Sequence, residues 1–206
     1  MLASMATASV APAPAEAHGP PAIPDFEIVP KKALPIVAVV LIGLVLAVES
    51  DKLWPVEFFH VAFGAIWTAF DLFLGLVLGP ILGRLSVPAR IEMTTRLMPK
   101  MVVIMPTVVV CTLVAGWQLG GFVGPIYQGA PHHDLIVVSY VIVGIMAIIA
   151  LSILEPANVA VLFELKKPRP NPAVIEHLMK RFIYTAGILG AMQVATLVIM
   201  TKVGAA

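Results

Sequence analysis

The stretch "EFFHVAFGAIWTAFDLFLGLVLGPIL", residues 57–82, decides the fold. It is one long apolar run, and a helix needs about 20 mostly apolar residues to cross the hydrocarbon layer. Yet it carries Glu57, His60, Trp67 and Asp71. With Gly64 they are spaced by 3, 4, 3 and 4 positions, the spacing of one helix face. Charge facing lipid costs about 2.5–3.5 kcal/mol per residue on insertion scales, so this face turns toward other helices. The stripe has an outer level at Glu57 and His60 and an inner one at Asp71, about 16 Å further along at 1.5 Å per residue.

The rest of the chain agrees with a membrane reading. Of 206 residues, 60% are hydrophobic and 12% charged, and mean hydropathy is +0.99. Soluble domains carry about 45–50% apolar and about 25% charged residues. The net charge of +1 offers no basic field for nucleic acid. The single cysteine, Cys111, cannot form an intrachain disulfide. Apolar runs lie near 33–50, 55–82, 98–119, 135–163 and 182–202, continuous rather than alternating as in a membrane barrel. The expected fold is all-α and integral to the membrane, with five transmembrane helices. Residues 1–32 are rich in Ala and Pro and read as a disordered or extended tail, and 33–206 as the transmembrane domain. The "VLA" at 45–47 resembles a signal-peptide cleavage site, but the flanking segments are too long, so the first helix is read as retained.

Basic residues set the orientation. Lys31 and Lys32, the segment with Arg84, Arg90, Arg96 and Lys100, and the segment with Lys166, Lys167, Arg169, Lys180 and Arg181 fall on one side of a five-span chain. That side is inside, with the N-terminus. The expected location is the bacterial inner membrane. A repeat is also visible. "VPARIE" at 87–92 matches "NPAVIE" at 171–176, and "TLV" at 112–114 matches "TLV" at 196–198, in one gapless register. Helices 2 and 3 (about 55–119) and helices 4 and 5 (about 135–203) then form two copies around an axis along the membrane normal, making a four-helix core.

The repeat pairs Asp71 with Glu155. Two carboxylates at one depth near the axis cannot both ionise easily, which suits an ion or proton site. Pro156 loosens the turn before it by removing a backbone donor. The competing expectation is a structural clamp, each acid paired with a basic residue such as Lys100 or Arg84. At the outer level, His60 aligns with Gly144, leaving space beside an imidazole. Imidazole suits copper, zinc and haem iron. A copper or haem site would take His60 as ligand, Glu57 to orient the ring, Trp67 as pocket wall, and His132 or His133 from the loop before helix 4. The simpler alternative is a histidine satisfied by a backbone carbonyl or by Glu57. Met98, Met101 and Met105 share a face and read as core packing.

His60, Trp67, Pro80, Arg96-Leu97-x-Pro99 and Thr112-x-x-x-Gly116 together resemble the membrane domain of the copper-resistance protein D family and its uncharacterised relatives. The His and Trp spacing is also similar to the four-helix protoporphyrinogen-oxidase-type membrane proteins and to the membrane part of some urate oxidases. The resemblance implies a polytopic protein handling copper or haem through His60. Two alternatives stand beside it: an accessory subunit of a larger respiratory or photosynthetic membrane complex (or a homo-oligomer), and an enzyme of the protoporphyrinogen-oxidase type. No nucleophile–base constellation or nucleotide loop points to independent catalysis.

Overall fold

The computed structural model describes residues 25–123 and 132–204, and among these it is all-helical. Five helices are long and apolar enough to cross a membrane. They are α1 (Leu34–Glu49), α2 (Leu53–Arg84), α3 (Val87–Val123), α4 (His133–Leu165) and α5 (Pro172–Gly204). This is the architecture of an integral membrane protein. With 37 residues, α3 extends about 55 Å at 1.5 Å per residue. It therefore projects or tilts beyond the ~30 Å hydrocarbon layer.

Helices α2 and α4 each contain one widened turn. In α2 it covers Phe73–Leu78 and in α4 Ala150–Leu154, both in π-helical form. Each ends two residues before a proline, Pro80 or Pro156. Proline lacks an N–H and its ring crowds the carbonyl four residues back, and a wider turn relieves that conflict. The turn expected to loosen before Pro156 is therefore present. By contrast, α3 runs through Pro99 and Pro106 without a break in helix.

Helices α2 and α3 form a tight antiparallel hairpin, α5 packs against α2 and α4, and the C-terminal part of α4 packs on α3. The main core lies among these four, with Leu74, Met98, Met101, Met105, Met146, Leu162, Phe182 and Leu189 within it. Helix α1 sits outside, attached to α2 and α3 through a small cluster of Leu44, Val56, Cys111 and Ala115. The α2–α5 crossing is made of glycine. A Cβ on Gly75 would fall 2.5 Å from the Gly187 Cα, and Gly190 leaves room for Leu72. Without hydrophobic drive between helices in lipid, such close backbone approach is what holds them together.

One expectation changes. Helix α5 begins at Pro172, ten residues before its apolar run, because Ile175 and Met179 pack into the core while Glu176 and Lys180 pair at 2.7 Å on the exposed side. Residues 1–24 lie outside the described residues, but Phe26 and Ile28 pack against the main core. The Lys166 ammonium stands 5.1 Å from the Phe26 ring centroid, within cation–π range. The start of the described chain thus docks at the end of the bundle where α4 finishes.

Candidate functional site

The polar stripe of α2 separates into two environments. At the outer level the His60 Nδ1 lies 3.0 Å from the Thr112 carbonyl of α3. The ring is seated against Gly116, where a Cβ would fall 2.7 Å from both Nδ1 and Cε1. From the other side, the Tyr140 hydroxyl of α4 donates to the Gly116 carbonyl at 3.3 Å, and the Tyr140 ring meets Trp117 edge-on. His60 and Tyr140 therefore clasp the α3 backbone from two neighbouring helices, through hydrogen bonds that tie helices together in lipid.

This geometry corrects the sequence reading of His60 in several respects. Its ring is oriented by the Thr112 carbonyl, not by Glu57, which is exposed. The glycine beside it is Gly116. Gly144 is exposed, with no heavy atom within 4 Å of where its Cβ would be. Trp67 does not wall a His60 pocket, because it is buried two turns deeper beside Asp71. His132 is exposed at the start of α4 in the left-handed region, φ 61°, and His133 opens the helix after it. Among the described residues, no three His, Cys, Asp or Glu side chains come together to hold a metal ion. On His60 itself, the Thr112 carbonyl engages Nδ1 and Gly116 lies against the Nδ1–Cε1 edge of the ring.

The inner level is different. Asp71 is fully buried, and its Oδ2 accepts a 2.9 Å hydrogen bond from Gln193 Nε2 of α5. Glu155 of α4 is half-buried and close enough to Asp71 for the two carboxyl groups to act on each other electrostatically. Trp67, one turn before Asp71, and Asn158, one turn after Glu155, stand beside those carboxyl groups. They do so without hydrogen bonds of ordinary geometry. Trp67 Nε1, Asp71 Oδ1, both side-chain atoms of Asn158 and Gln193 Oε1 are buried and unpartnered. Buried polar atoms are nearly always paired, and each orphan costs about 1–3 kcal/mol. Five of them lie on the four residues Trp67, Asp71, Asn158 and Gln193.

Among the described residues, no basic side chain clamps either acid. Arg96–Glu92, Lys167–Glu164 and Lys180–Glu176 form ion pairs, all at the end of the bundle where α4 finishes and α5 begins. Neither Asp71 nor Glu155 takes part. Instead Glu164, also buried, fastens the α4–α5 connection. It accepts from Lys167 Nζ at 2.6 Å and from the Asn171 backbone N–H at 3.0 Å.

The structure thus brings together Asp71, Glu155 and Trp67, and adds two residues that the sequence reading passed over, Asn158 and Gln193. Their signal was present. An amide inside an apolar helix is costly in lipid for the same reason a carboxylate is. No protein-family model matches the chain, and comparison with curated proteins and with solved structures returned no match.

Proposed function

We propose that this chain is a membrane protein that takes up a proton or a small cation at an acidic site inside its helix bundle. The observation that supports this is the buried cluster of Asp71, Glu155, Asn158, Gln193 and Trp67. It holds two interacting carboxyl groups and five unpartnered polar atoms, with no basic side chain paired to either acid among the described residues. Ionisable groups facing a bundle interior are expensive and mark ion or proton pathways. The titratable groups that meet at this level are Asp71 from α2 and Glu155 from α4. In this reading the basic inner segments and the N-terminus lie inside, and the helix pairs α2–α3 and α4–α5 are tandem copies, each giving one carboxyl group. The widened turn beside each acid gives the helices local freedom where a bound ion would enter and leave. The outer clasp of His60 and Tyr140 holds α2, α3 and α4 together above the site.

The test is reconstitution into liposomes with an entrapped pH-sensitive dye, under an imposed membrane potential or cation gradient. The parent protein should move protons or cations, and Asp71→Asn and Glu155→Gln should abolish the movement while keeping a cooperative thermal unfolding transition. A parent protein with no flux, or variants that transport as it does, would overturn the proposal.

A further inference from the structure

We infer that the ligand of this site is a desolvated monovalent alkali cation, held by Asp71 Oδ1, Glu155, Asn158 Oδ1 and Gln193 Oε1; this rests on the reading of the cluster as a proton or cation site. The first argument is the sign of the unpartnered atoms. Gln193 Nε2 donates to Asp71 Oδ2, which leaves Gln193 Oε1 as a buried acceptor without a donor. Asn158 Oδ1 and Asp71 Oδ1 are in the same position. The two orphan donors, Trp67 Nε1 and Asn158 Nδ2, each stand beside a carboxyl group and need only small shifts to reach it. No such shift serves the two amide oxygens, Asn158 Oδ1 and Gln193 Oε1, because the donors nearest them face the acids.

The second argument is chemical. A proton is held by a carboxylate and does nothing for two amide oxygens, whereas a cation engages carboxylate and amide oxygens together. All the available ligand atoms are oxygens, the choice of a hard ion. Copper(I) and other soft metals prefer sulfur, so this donor set disfavours them. The third argument is number. At most five oxygens are on offer, one from Asp71 besides Oδ2, two from Glu155 and one each from Asn158 and Gln193. Calcium takes about 6–8 oxygens and magnesium keeps much of its water, so a buried site of this size suits a singly charged ion. One such ion and one proton neutralise two carboxylates. Protons and the ion therefore compete for the same oxygens.

Trp67 provides the reporter. The chain has three tryptophans. Trp54 and Trp117 are 71% and 70% exposed, while Trp67 is 2% exposed beside Asp71. A Trp54→Phe/Trp117→Phe protein in nanodiscs leaves Trp67 as the only indole. Sodium chloride is titrated against choline chloride at constant ionic strength and mildly alkaline pH. Trp67 fluorescence should change saturably with sodium. The half-saturating concentration should rise by up to about tenfold for each pH unit of acidification, as protons compete. Adding Asn158→Leu, which leaves a well-packed helix, should remove the sodium response. A response to pH with none to sodium or potassium overturns the cation assignment while leaving the proton reading intact. A response to neither overturns both. A calcium response at lower concentration than sodium, or an unaltered sodium response in the Asn158→Leu protein, also overturns the assignment.

Discussion

Replacing Gly75 by alanine should damage this protein, and replacing its partner Gly187 should not. A Cβ on Gly75 would lie 2.5 Å from the Gly187 Cα and 2.8 Å from the Gly187 nitrogen. Both are backbone atoms of a helix and cannot rotate away. Carbon atoms pack best at about 3.5–4.0 Å, so α2 and α5 must separate by about 1 Å. Overpacking of this kind costs about 1–3 kcal/mol. The separation also strains the 2.9 Å bond from Gln193 to Asp71, one turn from Gly75. Bonds to charged groups contribute about 1.5–3 kcal/mol. Alanine returns up to about 1 kcal/mol of helix propensity, leaving a net loss of about 2–4 kcal/mol. On Gly187 the added Cβ meets the Gly75 Cα at 3.7 Å, an ordinary contact. There the propensity gain is unopposed, and stability should change by less than about 1 kcal/mol. Unfolding of the purified variants in mixed micelles by increasing dodecyl sulfate measures both. A Gly75→Ala protein within about 0.5 kcal/mol of the parent, or a Gly187→Ala protein harmed equally, would refute this account of the crossing.

The outer clasp gives a coupled prediction. Gly116→Ala should drive the His60 ring off the Thr112 carbonyl and cost about 1–3 kcal/mol, but much less in a His60→Ala background, because the clashing ring is gone. Additive losses in the double-mutant cycle would show that the two residues do not meet. At the inner site, Asn158→Leu should raise stability in sodium-free buffer by about 1–3 kcal/mol, since it replaces an unpartnered buried amide with an apolar group of similar size. A destabilised Asn158→Leu protein would show that the amide is already satisfied.

The spans were legible because the cost of burying backbone in lipid imposes long apolar runs, which no other fold requires. The direction of the α2 stripe was legible for a related reason: a charge as deep as Asp71 has only the bundle to face. What was not legible was which residue meets which. His60 was paired in the sequence with Gly144 through the repeat, yet the residue beside it is Gly116, across the α2–α3 hairpin. An offset between copies says nothing about contacts inside one copy. Asn158 and Gln193 have apolar counterparts in that register, Leu74 and Val109, so the repeat does not single them out. The bounds of α5 were missed because its first turns are polar on one face, and an apolar run detects only helix surrounded by lipid or core on all sides.

The close crossing and the polar cluster belong to one design. Helices ordinarily pack with axes about 8–10 Å apart. A glutamine side chain reaching a short aspartate across that gap needs the axes near the lower limit, and Gly75 against Gly187 supplies that approach. The widened turns act on the same region. Each inserts an extra residue into its helix, so the residues beyond it are rotated relative to those before. Asp71 lies just before the wide turn of α2, and Glu155 just after that of α4. Each acid is therefore aimed by the regular helix on one side of its turn, while the turn itself absorbs the change of direction. A bundle selected for stability alone would place leucine at 158 and lose nothing in packing. This one keeps five buried polar atoms without partners, at about 1–3 kcal/mol each. Ligand binding to the folded state offsets such a cost through mass action. On the proposed reading, the free protein is the strained form of the site and the ion-bound protein the relaxed one.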